Sequence, residues 1–93
     1  MSQTPTIGRI VHYRLSAQDA AIIRDRRAAT GAHGNPALEG DVYPAEIVRV
    51  FGPADNPDRA VNLQVGLDGE DTYWATSRTE GDGPGTWFWP PRV

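Results

Sequence analysis

The sequence predicts a mainly β domain carrying one short helix, and three features lead to that expectation. Apolar residues alternate at period two in several short stretches rich in β-branched and aromatic side chains. Glycine and proline, 10 and 8 of them in 93 residues, fall between those stretches, where turns belong. One alanine-rich segment, Ala17 to Ala29, breaks the alternation and reads as helix.

The first strand is Thr6 to Arg14, with the run Ile7-Gly8-Arg9-Ile10-Val11-His12-Tyr13-Arg14. Ser16 is a good N-cap with Asp19 three residues on, and Gly31 suits the position just past the helix end, so the helix occupies about 16–30. Its apolar side is narrow: Ala20, Ile23 and the stem of Arg27, with Ile22 beside them. Such a helix packs on the outside of a barrel or against another subunit. Thr30 to Asp41, with three glycines, a proline and His33, reads as a partly mobile loop. Tyr43 to Phe51 is the next strand, and Pro44, lacking an N–H, has to lie near its start or on an edge. Gly52 to Arg59 is a surface turn.

Val61-Asn62-Leu63-Gln64-Val65-Gly66-Leu67 alternates as a half-buried strand does, and Asp68-Gly69 turns it into Thr72-Tyr73-Trp74-Ala75-Thr76-Ser77. A loop holding Gly81-Asp82-Gly83-Pro84-Gly85 leads to Thr86-Trp87-Phe88-Trp89, and Pro90-Pro91 ends pairing. Four to five short strands with one helical insertion between the first two add up to a small SH3-like barrel. Residues 1–6 are expected as a flexible N-terminus, and residues 7–93 as one domain.

A formal net charge of −3 argues against a general DNA or RNA binder, which draws its affinity from a basic surface. All nine basic residues are arginine, whose planar fork suits phosphate and stacks on bases, although a GC-rich genome gives the same bias. With no cysteine there is no disulfide or thiolate chemistry, and a reducing cytoplasm fits. No apolar run reaches membrane-spanning length, and the N-terminal residues lack the pattern of a signal peptide, so a soluble, unexported protein is expected. A domain this small buries a modest core, which makes a homo-oligomer, dimer or tetramer, the expectation.

Catalysis finds no support. His12 lies in a strand and His33 in a glycine-flanked loop, neither spaced from a nucleophile in a recognisable way. Asp68, Glu70 and Asp71 cluster at a hairpin turn, where carboxylates ordinarily meet solvent, so no metal site and no cofactor are expected. The aromatic residues carry the functional reading. Trp87 and Trp89 are two apart and share a strand face, while Trp74 lies on the preceding strand. Indoles ordinarily fill a core, but three in so small a barrel leave at least one accessible as a stacking platform for a base. Asn62 and Gln64, with Thr76, Ser77, Thr86 and Arg78, offer donors and acceptors around it, Arg78 as the partner of a phosphate. Arg24, Arg26 and Arg27 read as a solvated helix face, or as phosphate contacts if an oligomer interface lies near.

The segments Ile7 to Tyr13, Tyr43-Pro44-Ala45, Val61 to Val65, Leu67-Asp68-Gly69, Trp74 to Ser77, Pro84 to Trp87 and Trp89-Pro90 together resemble a widespread group of small tailed-phage proteins. That group is identified with the anti-CBASS sponge family, whose members hold cyclic dinucleotide immune signals such as cyclic GMP–AMP as tetramers and silence host defence. The resemblance covers most of the chain except the insertion Leu15 to Gly40. It implies sequestration of a cyclic dinucleotide without cleavage, in the host cytoplasm, with the segments Asn62 to Val65, Trp74 to Ser77 and Gly85 to Trp87 as the pocket; with the residue reading above, the expected site is Asn62, Gln64, Trp74, Thr76, Ser77, Arg78, Thr86, Trp87 and Trp89. The rival expectations are an SH3-like protein-interaction or minor virion module of a phage, and an enzyme that degrades such a nucleotide.

Overall fold

A computed structural model describes residues 3–53, 55–56 and 58–91. Five strands form one sheet: β1 (Ile10–Arg14), β2 (Val42–Val50), β3 (Val61–Gly66), β4 (Thr72–Arg78) and β5 (Trp87–Phe88), in the order β4-β3-β2-β1-β5. A single helix, α1 (Ala17–Thr30), joins β1 to β2. All strand pairs in the sheet are antiparallel. The sheet curls until its two edges meet: the chain leaving β4 runs beside β5, with Trp87 N–H donating to Thr79 O at 3.2 Å and Gly81 N–H to Trp87 O at 2.9 Å. The mainly β fold with one helical insertion is thus the expected one.

Alternation builds the interior. Val11 and Tyr13 from β1, Ala45 and Ile47 from β2, Val61, Leu63 and Val65 from β3, and Tyr73 and Ala75 from β4 are buried, each separated by one residue from the next inward position. Trp87 closes this core opposite Tyr13. Pro44 sits in a central strand, yet in a stretch where β2 has only β1 for a partner, because pairing with β3 begins at Ala45↔Val65. Its missing N–H therefore leaves no gap in the β2–β3 ladder.

The helix is fixed at both ends. Ser16 Oγ accepts from Asp19 N–H at 3.0 Å while the Asp19 carboxylate accepts from Ser16 N–H at 2.9 Å, the reciprocal capping pair. Gly31 ends the helix at φ 76, a left-handed conformation. Ile23 is buried, with Ala20 and Ile22 half-buried beside it.

The loop after the helix is hydrogen-bonded to the β3–β4 hairpin. Gly34 bridges Gly69, Asn35 N–H donates to Asp68 O at 2.8 Å, Glu70 N–H to His33 O at 2.8 Å, and His33 N–H to the Glu70 carboxylate at 2.7 Å. Arg27 completes this clasp with a two-pronged bond to Asp71, both contacts at 2.9 Å. The hairpin carboxylates therefore hold the loop and the helix end, where the sequence suggested solvated groups. At the other end of the chain, Pro5 is buried and its carbonyl accepts from Arg59 at 3.3 Å, so residues 3–6 lie against the barrel. The first two residues of the expected N-terminal segment, Ala54 and Pro57 of the expected surface turn, and the last two residues of the expected domain lie outside the described residues.

Candidate functional site

Strand register decides which of the expected site residues meet. In β4, Tyr73 and Ala75 point inward, so Trp74 and Thr76 point out, and both are exposed. Trp74 is 56% exposed, the accessible indole that the count of tryptophans called for. It stands opposite Gln64 on β3, Gln64 stands opposite Glu46 on β2, and Glu46 opposite Ile10 on β1. All four side chains of this cross-strand row are exposed. Asn62 belongs to the next row with Arg49 of β2, but its side chain is 8% exposed and already used, its Oδ1 accepting from Ser77 N–H at 2.8 Å. The outer face of β2, β3 and β4 thus brings together an indole, an amide, a hydroxyl and a guanidinium.

Arg78 does not join them. Between Val61↔Arg78 and Leu63↔Ala75 the β4 strand carries one residue more than β3, a bulge with Ser77 at φ 55, the sole non-glycine with positive φ among the described residues. The extra residue reverses the alternation, so Arg78 faces inward and places its Nη2 at 3.0 Å from Asp19 Oδ1. This corrects its expected role as a phosphate partner: a period-two reading puts Arg78 outside, and the bulge turns it in. Ser77 itself is exposed, with its backbone serving the bulge.

Asp19, read from the sequence only as a helix cap, is the polar hub of the interior. It is fully buried and accepts from Tyr13 Oη at 2.5 Å, Tyr73 Oη at 2.6 Å and Arg78 as well as from Ser16 N–H. Burial alone pushes its carboxyl up, but the Ser16, Tyr13 and Tyr73 hydrogen bonds and the Arg78 charge outweigh that and hold it below the usual carboxylate value. The same burial, reinforced by donation to Asp19, raises both tyrosine hydroxyls. The signal in the sequence was two tyrosines at inward strand positions, which need a polar partner once buried.

The remaining expected residues lie across the barrel on β5 and its loop. Trp87 is 1% exposed and offers no ring face to a ligand; its inward position opposite Tyr13 makes it core. Trp89 is half-buried, its ring edge-on to Trp87 at 5.3 Å with the Arg9 guanidinium 4.8 Å over it. Thr86 donates to Gly83 O at 2.5 Å and closes the preceding loop. Thr86, Trp87 and Trp89 therefore do not share a surface with Trp74.

Two hollows lie elsewhere on the surface. One, of about 510 Å³, is lined by Asp58, Thr79, Glu80, Gly81, Asp82 and Phe88, and its three carboxylates disfavour a phosphate ligand. The other, of about 250 Å³, lies between α1 and residues 36–39 with Ile23 and Leu38 among its walls. Among the described residues no three of His, Asp and Glu converge closely enough to hold a metal ion, and no helix is long and apolar enough to cross a membrane. Comparison with protein-family models, with curated proteins and with solved structures finds no match for this chain.

Proposed function

We propose that this protein binds a nucleotide second messenger of the cyclic dinucleotide class, such as cyclic GMP–AMP, and holds it without cleavage, as a phage protein that blocks CBASS-type host defence would. The observation that carries the reading is Trp74, an indole 56% exposed on a rigid strand and flanked on one face by Gln64 and Thr76. Base stacking on an indole is worth about 1–3 kcal/mol per base, and an amide and a hydroxyl beside it supply hydrogen bonds to a base edge. The similarity of the sequence segments to phage sponge proteins supports the same reading. Thr76 and Gln64 are the site residues retained from the sequence reading, with Trp74 at the centre.

One sheet face leaves the outer side of a stacked base in water, so the assembly proposed is a homo-oligomer in which a second copy covers the ligand. The setting is the host cytoplasm. The test is a melting-temperature panel with cyclic GMP–AMP, cyclic di-AMP and cyclic ADP-ribose isomers, followed by heat release and recovery of the ligand. A shift with intact recovered ligand is expected; no shift with any of them ends the reading, and cleaved ligand turns it into an enzyme.

A second reading, a protein-interaction or minor virion module, is favoured by the apolar ends of the same row, Ile10 at 53% and Trp74 at 56% exposure. Capture of one phage or host protein, lost on Ile10→Glu and without any small-molecule response, would support it.

A further inference from the structure

We infer that Arg49 is the phosphate-contacting residue of the Trp74 surface; the inference rests on the nucleotide reading above. Three observations single it out. First, its place: Val50 packs on the core, so Arg49 points outward, and the sequence Arg49↔Asn62 and Gln64↔Trp74 puts it on the same face as the indole. With strands about 4.8 Å apart and about 3.3 Å per residue, the two backbones lie roughly 12 Å from each other, a span that one nucleotide bridges once both side chains are counted.

Second, its charge is uncommitted. Among the described residues Arg27 is bonded to Asp71, Arg78 to Asp19, Arg24 to Asp25, Arg9 to the Gln3 side chain, Arg14 to the Gly40 and Asp82 carbonyls and Arg59 to the Pro5 carbonyl, whereas Arg49 and the helix residue Arg26 have no carboxylate within ion-pairing distance and no hydrogen-bonded acceptor, and of these two Arg49 is the one on the Trp74 face. Third, it is preorganised: its guanidinium carbon stands 5.3 Å from the Phe51 ring centroid, and an arginine stacked in this way loses less freedom when it closes on an anion.

The other charged group on the face is Glu46, opposite Gln64 and exposed. It sets the ligand's direction, base over Trp74 and phosphate at the Arg49 end, because a phosphate placed over Glu46 would meet like charge. An arginine fork on a phosphate gives a charge-assisted, two-pronged bond that lysine reproduces only as a point charge.

The experiment measures affinity by isothermal titration calorimetry on the full chain with the best-binding member of the cyclic nucleotide panel, at several salt concentrations, for the wild type, Arg49→Gln, Arg49→Lys, Glu46→Gln and Trp74→Ala. Arg49→Gln is expected to melt within a degree or two of the wild type, to bind at least tenfold more weakly and to lessen the salt dependence of binding. Arg49→Lys should recover part of the loss, and Glu46→Gln should tighten binding. Unchanged affinity and salt slope in Arg49→Gln, with binding abolished in Trp74→Ala, would overturn the role of Arg49 and leave the nucleotide reading standing. Absence of wild-type binding across the panel removes both.

Discussion

Asp19 accepts four hydrogen bonds on two oxygens, from donors on β1, β4 and its own helix cap, and this arrangement has measurable consequences. Asp19→Asn leaves the half-buried Arg78 without its partner charge and weakens the bonds from both tyrosines, and should cost roughly 2–4 kcal/mol in urea denaturation, above a surface change. Because the folded carboxyl titrates below its usual value, its contribution is complete above about pH 4 and is lost as pH falls through the folded value. Asp71, lowered by its bond to Arg27, acts in the same sense. Tyr13 and Tyr73 act oppositely: their raised hydroxyls keep their contribution below the ordinary value of 10.0 and lose it as pH rises beyond that. Melting temperature against pH should therefore run flat from about pH 5 to 9 and fall at both ends, with a weaker acid fall in Asp19→Asn. The tryptophans divide just as clearly. Trp87→Ala should cost about 3–5 kcal/mol as a core truncation, while Trp74→Ala should cost less than about 1 kcal/mol and act on binding alone. Sequence reasoning could not separate these two rings, since aromatic content says that something is exposed without saying which.

The strands and the helix were legible because each has a local cause. Ser16, Asp19 and Gly31 marked the helix ends by their chemistry, and the period-two runs of β3 and β4 marked both strands of the hairpin. What stayed hidden depends on partners far along the chain. The bulge at Ser77 exists because β4 carries one residue more than β3 opposite Asn62, and no run of alternating residues announces it. Its strain is testable: Ser77→Gly should stabilise by about 0.5–1 kcal/mol, and Ser77→Val should destabilise by more than about 1 kcal/mol, since a branched side chain tolerates φ 55 poorly. The loop at 30–41 was hidden for the same reason. Its glycines suggested freedom, whereas Gly34 and Gly69 are required for close approach: a Cβ on Gly69 would stand 2.6 Å from Gly34 Cα and 2.7 Å from His33 O. Gly69→Ala should open that clasp, visible as faster amide hydrogen exchange at Asn35 and Glu70.

A barrel this small buries its aromatic residues efficiently, so an indole left in water on a rigid outer strand is the feature that asks for a partner. The charge distribution narrows the partner's place. The hollow lined by Asp58, Glu80 and Asp82 is acidic, the helix-end arginine is tied to Asp71, and Arg78 is spent on Asp19, whereas the face of Trp74, Gln64, Thr76 and Arg49 combines an exposed indole with a guanidinium that has no carboxylate partner among the described residues. Only part of the expected site survives on that face, because residues from β4 and β5 that look alike in sequence are separated by the closure of the barrel. A chain with net charge −3 can still hold a phosphate there, since contact-range pairs are screened less than long-range fields. The most direct measurement is equilibrium titration of the pure protein with cyclic GMP–AMP and the related cyclic nucleotides, read by calorimetry and repeated with Trp74→Ala. The account predicts saturable binding of at least one of them at submicromolar concentration, abolished in the folded Trp74→Ala variant, with the ligand recovered whole. Binding that is absent throughout, or that persists undiminished without the Trp74 ring, would contradict it.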